Sequence, residues 1–255
     1  GMGVFGQGFV GKLTFPSANV SDRLEKTFTS VNFNMMIMVI YALITIAIFG
    51  MWYYARYEGN FLPSPKKTFN PMMLVAIVIL VPGTQFAANF IANLTGYIRP
   101  DWLQQYNELF ETSGITDTTF VTVLYSVILA PICEELIFRG VTMRCARKAL
   151  PFALANLMQA ALFGLFHLNW IQGIYAFALG IVLGYVCECG GSIYYSIGLH
   201  LLFNLWGTLS GFFPDPGNSV VVFVIVIAVT IVSLVVGFVL FNKGRRKLPI
   251  NSTGI

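Results

Sequence analysis

Charge is what this sequence has least of. Lys, Arg, Asp and Glu make up 10% of its 255 residues, against the roughly one quarter usual in soluble domains. With 56% of residues apolar, a water-soluble domain would lack the polar surface to stay dispersed, and that class is excluded. Histidine is scarcer still, with only two in the chain. The four cysteines, Cys133, Cys145, Cys187 and Cys189, include no CxxC pair. They support neither a disulfide frame nor a zinc finger and read as small packing residues. No basic start followed by a short apolar stretch opens the chain, so no cleaved leader is expected, and Gly1 ahead of Met2 reads as a cloning remnant. No repeat of about 20–50 residues recurs. The net charge of +4 is spread in short blocks, which excludes nucleic acid as a partner.

Long apolar runs are what the chain has instead. A helix of about 20 apolar residues spans the ~30 Å hydrocarbon core of a bilayer, and about seven such runs occur, at 35–54, 72–91, 118–148, 152–168, 171–186, 193–213 and 220–241. The expected fold is all-α, a polytopic transmembrane bundle of about seven helices around a buried polar site, with membrane lipid as its surroundings. Trp52, Tyr53, Tyr54 and Tyr57 close the first run as an interfacial aromatic belt. Pro82-Gly83 is expected to break the second run. Residues 99–117, with Asp101, Glu108, Glu111 and Asp117, form the longest polar connection, and the helix after it should continue through Pro131. The chain divides into an N-terminal segment (1–33), two N-terminal spans with the polar loop (34–117), a core (118–213), and a last span with a basic tail (214–255). Lys243, Arg245, Arg246 and Lys247 place the C-terminus in the cytoplasm of a cell-membrane protein. Counting back, the loop with Arg56, Lys66 and Lys67 and the turn after Arg144, Arg147 and Lys148 are also inside, and 99–117 is outside. The N-terminus then falls outside, against the sense of Lys12, Arg23 and Lys26.

Against this background the ionisable residues within the runs stand out, because each costs about 2.5–3.5 kcal/mol at a helix centre even on insertion scales. Glu134, Glu135 and Arg139 lie in one run. Glu135 and Arg139 are four apart and can pair on one helix face. Glu134, about 100° round, should point elsewhere without a cation of its own and be free to react. Both histidines fall in apolar runs. His167 shares a stripe with Phe163 and Asn156, and His200 one with Ser196, Asn204 and Thr208. Polar stripes on apolar helices must face protein or a cavity. Burying the three against one another yields a site with a carboxylate, two imidazoles and an amide. A bundle needing only polar glue would use Ser, Thr or Asn, so the ensemble points to chemistry.

In order, the motifs are Glu-Glu-x-x-x-Arg (Glu134, Glu135, Arg139), Phe-x-x-x-His (Phe163, His167) and His-x-x-x-Asn (His200, Asn204). This arrangement resembles the CPBP family, the CAAX proteases and bacteriocin-processing enzymes also called Abi proteins, over about residues 118–213. The resemblance implies an intramembrane endopeptidase with a cavity open to membrane and cytoplasm, acting on a peptide or protein substrate through a glutamate-activated water. On that reading Glu134 is the general base, His167 holds the water and shuttles its proton, and His200 and Asn204 donate to the carbonyl oxygen. Glu135, Arg139 and Phe163 would support them. Pro131 removes a helical hydrogen bond and could admit water or substrate at that depth.

Three other readings use the same residues. Glu134, His167 and His200 could ligate a catalytic zinc. No His-Glu-x-x-His occurs, however, and Asn204 suits an oxyanion better than a cation, so no cofactor is expected. A proton-coupled transporter would relay protons through buried Glu and His but should show paired broken helices. An immunity protein could keep the fold without turnover.

Overall fold

The computed structural model describes residues 31–58, 69–113, 119–210 and 219–245. Residues 1–30 of the N-terminal segment, with Lys66, Lys67, Asp117, Arg246 and Lys247, lie outside them. Every described element is a helix, as a chain in hydrocarbon requires if its backbone groups are to be satisfied within each segment. In chain order these are α1 (Val31–Tyr53, extended by a π-turn Tyr54–Glu58), α2 (Pro71–Ile98), α3 (Pro100–Ser113), α4 (Phe120–Ala146), α5 (Phe152–Phe166), α6 (Trp170–Gly190), α7 (Ile193–Ser210) and α8 (Val220–Gly244). Five are long and apolar enough to cross a bilayer: α2, α4, α6, α8 and the stretch Phe33–Arg56 containing α1. The other two expected spans are present as shorter helices, α5 of 15 residues and α7 of 18.

Two expectations are corrected. Residues 99–117 are not a plain connecting loop, because Pro100–Ser113 is helical. Proline at its first position and Asp101 in the first turn favour a start there. The Pro82-Gly83 pair does not break α2, which runs on through Pro82. The reason lies in α8. The Ser233 hydroxyl donates to the Ile79 carbonyl while accepting from the Gly83 amide at 2.9 Å. One side chain thus bridges the gap that proline opens in the ladder. Gly83, Gly237 and Gly244 let α2 and α8 pack closely along their length.

Apart from α3, successive helices run in alternating directions. At one end of the bundle Asn70 bonds the Tyr195 hydroxyl and the Gly244 carbonyl, Arg147 pairs with Glu188 at 3.0 Å, and Arg144 bonds Tyr53. At the other, Arg99 lies over Trp102, which stacks on Trp170 with centroids 5.3 Å apart. There α5 and α6 are joined by a tight turn, with Leu168 in the left-handed region (φ 53°) and Asn169 capping α6. The basic residues Arg144, Arg147, Lys148, Lys243 and Arg245 therefore gather at one end and α3 sits at the other.

The main core is shared by α2, α6, α7 and α8, with Leu80, Leu183, Leu199 and Phe241 fully buried. A smaller cluster of Phe138, Phe163 and Ala176 joins α4, α5 and α6. Among the cysteines, Cys133 and Cys187 are buried, as packing residues should be, whereas Cys145 is exposed. The Cys133 thiol donates to the Ala42 carbonyl, tying α1 to α4.

Candidate active site

The site begins with the winding of α4. Two π-helical stretches, Leu124–Leu129 and Leu136–Met143, flank the α-helical turn Ala130–Glu135 that carries both glutamates. Pro131 accounts for the first. A proline ring inside an α-helix collides with the carbonyl four residues back, and the wider π winding relieves that collision. In this register the Ala130 amide bonds the Tyr125 carbonyl five residues back, so the missing proline N–H would have served Ser126. Asn204 serves it instead, donating Nδ2 to the Ser126 carbonyl at 2.8 Å. The expectation that the gap at Pro131 admits water or substrate is corrected to that extent, since a side chain of α7 fills it.

Glu135 and Arg139 form the expected pair, Oε1 to Nη1 at 2.8 Å, both with 0% of the side chain exposed. Arg139 also donates to the Gly180 carbonyl at 3.2 Å and lies over the Phe163 ring at 4.6 Å. Gly180 allows this, because a side chain there would press on Ala160 and Phe163. Gln159 donates to the same carbonyl at 2.9 Å, and Asn156 to that of Ile181 at 3.0 Å. The arginine is thus enclosed by a carboxylate, an aromatic face and a backbone oxygen, as a buried cation needs.

Glu135 does more than neutralise Arg139. Its Oε1 also meets Nδ1 of His200 at 2.9 Å, while Nε2 of the same ring lies 3.6 Å from Glu134 Oε2. The expectation that Glu134 faces away from the Glu135 network is therefore corrected, because the two neighbours reach opposite edges of one imidazole. Side-chain length, added to the ~100° between successive residues, makes this possible. Glu134 keeps 16% of its side chain exposed, whereas His200 keeps 3%.

Phe163 is the hub. Its ring meets those of His167 and His200 edge-on, with centroids 5.0 and 5.8 Å away. Both histidines thus sit on one side of the bundle, although no hydrogen bond joins His167 to Glu134 or His200 among the described residues. His167 caps the C-terminus of α5, and its Nδ1 lies 2.9 Å from the Phe163 carbonyl. A carbonyl can only accept, so Nδ1 carries the proton and a neutral ring offers the lone pair of Nε2. In His200 the carboxylate of Glu135 fixes Nδ1 as the donor in the same way.

All seven residues singled out from the motifs are accounted for. Glu134, Glu135, Arg139, Phe163 and His200 form one contact network, His167 joins it through Phe163, and Asn204 joins through the backbone of α4. Sequence reasoning missed the Glu135–His200 bond and the roles of Gly180, Gln159 and Ser126. Only the half-polar stripe of α5, with Asn156 and Gln159, signalled any of these. No three His, Cys, Asp or Glu side chains among the described residues cluster as a metal would need. No curated protein and no solved structure matches the chain. Residues 116–206, the segment that holds every residue of the site, match the family model described as type II CAAX prenyl endopeptidase Rce1-like, in agreement with the CAAX-protease family that the motifs resemble.

Proposed function

We propose that this integral membrane protein hydrolyses a peptide bond in a membrane-associated peptide or protein, using a water activated by Glu134. The observation that carries the reading is the imidazole of His200 held between Glu135 at 2.9 Å and Glu134 at 3.6 Å. Glu134 is the one carboxylate of the pair that retains exposure, so it is the one able to meet water. It takes a proton from that water as the oxygen attacks the carbonyl carbon. The bare Nε2 of His167 accepts a hydrogen bond from the water's other O–H, which stays on the attacking oxygen, and the proton taken by Glu134 passes on to the leaving amine as the C–N bond breaks.

The tetrahedral oxyanion needs donors. Asn204 has one amide hydrogen on Ser126 and a second to offer. His200, with Nδ1 held by Glu135, has Nε2 as its remaining position to face the oxyanion. This donor set suits an oxyanion and needs no metal. The family description adds the substrate class, a protein ending in a prenylated Cys-a-a-X sequence. The gathering of basic residues at one end of the bundle supports a cell-membrane orientation with that end, and the C-terminus, in the cytoplasm.

The test is cleavage of a quenched peptide ending in a prenylated Cys-a-a-X sequence by purified protein, beside an unprenylated precursor-type peptide. Glu134→Gln should fold normally and cleave neither. A Glu134→Gln protein as active as the wild type would end the proposal. Cleavage of the unprenylated peptide alone would move the substrate to the precursor class.

A further inference from the structure

Gln85 is a side chain that the proposed reaction does not use and that the fold leaves incomplete. It sits in the middle of α2 with 7% exposure. Its Nε2 donates to Asn89 Oδ1 one turn along at 3.2 Å, which fixes the direction of the amide. Its Oε1 is buried with no hydrogen-bond partner among the described residues. A buried acceptor left unpaired is costly, and more so within a membrane span.

The space before this amide is shaped by α7. Directly opposite is Gly207, where an added side chain would meet only the two amide atoms of Gln85, each at 4.0 Å. Gly207 is itself exposed, so the slot between the two helices opens outward. Beside it Phe86 and Trp206 meet edge-on at 6.1 Å and form an aromatic wall. Absence of a side chain facing an unpaired carbonyl oxygen is what a polypeptide backbone needs to approach closely. Three residues before Gly207 on α7 is Asn204, about 4.5 Å lower along the axis and about 60° round, over Ser126.

We propose that Gln85 and Gly207 form a substrate subsite, in which Gln85 Oε1 accepts a backbone N–H of the extended peptide whose scissile carbonyl lies at Asn204. The assignment rests on the peptidase reading above. An extended chain advances ~3.3 Å per residue, so the N–H bound by Gln85 is one or two residues from the bond that is cut. Both residues fall outside the family-matched segment 116–206, so this element of specificity is supplied by α2 and the distal part of α7.

The experiment uses the full chain, the quenched prenylated Cys-a-a-X peptide, and versions of it N-methylated at one amide at a time. Gln85→Met should raise KM about tenfold, the loss expected for one hydrogen bond in a dry site, with a smaller change in kcat. It should also raise the melting temperature, because it removes an unpaired buried acceptor. Gly207→Leu should raise KM further by filling the slot. One N-methylated peptide should bind wild type poorly and lose nothing more with Gln85→Met. An unchanged KM in both variants, a fall in melting temperature for Gln85→Met, or an N-methyl penalty that persists in that variant would each overturn the subsite. Wild-type protein as inert as Glu134→Gln would instead remove the peptidase reading, and the subsite with it.

Discussion

Replacing Glu135 by Gln separates what the buried pair does for folding from what it does for chemistry. The side chain is fully enclosed, and its Oε1 receives both Arg139 at 2.8 Å and His200 at 2.9 Å, while Oε2 has no partner. A glutamine that keeps its oxygen toward these two retains the shape of both contacts. It nevertheless leaves a guanidinium with 0% exposure without a counter-ion. Breaking one side of a buried pair costs about 3–5 kcal/mol. At about 2–4 °C per kcal/mol for chains of this size, Glu135→Gln should melt roughly 6–20 °C below wild type in detergent. Removing the cation as well, as Glu135→Gln with Arg139→Met, should recover much of that loss, since a packed apolar replacement is tolerated where an unpaired charge is not. Turnover should not return, because His200 still lacks the carboxylate that fixes its Nδ1 proton. The measurements are thermal unfolding by intrinsic fluorescence and kcat on the prenylated peptide. A single variant that melts with wild type, or a double variant that regains turnover, would refute the division of labour.

Ser233→Ala should lower the melting temperature by an amount matching about 1–3 kcal/mol, because it strands the Gly83 amide and the Ile79 carbonyl together. Its kcat and KM should stay at wild type, and a change in either would tie α8 to the site. Hydrolysis should survive exhaustive dialysis against chelator, with metal content followed by mass spectrometry. Activity that vanishes and returns with one zinc per chain would replace the glutamate mechanism with a metal one. The exposed Cys145 at the basic end should react with a membrane-impermeant maleimide only in opened cells, whereas a cysteine replacing Gln105 in α3 should react in intact ones. The reverse pattern would invert the proposed orientation.

Apolar runs long enough to span hydrocarbon determined by themselves that this chain is a helical membrane protein. A bilayer leaves the backbone almost no alternative to helix, so length and hydropathy suffice. The same cost argument marked five of the seven site residues, Glu134, Glu135, Arg139, His167 and His200, because an ionisable group in lipid is retained only for a reason. The i, i+4 pairing of Glu135 with Arg139 was also legible, since both partners lie on one helix. What only the tertiary structure decided depends on contacts between distant parts of the chain. Proline rules predicted a break at Pro82 and a gap at Pro131. A serine 150 residues from Gly83 mends the first, and an asparagine 78 residues from Ser126 closes the second. That Glu134 and Glu135 grip one imidazole from its two edges follows from where α7 packs, 65 residues beyond Glu135. Local periodicity fixes which way a side chain leaves its own helix, but it carries no information about which helix stands opposite, and this chemistry resides in that second fact.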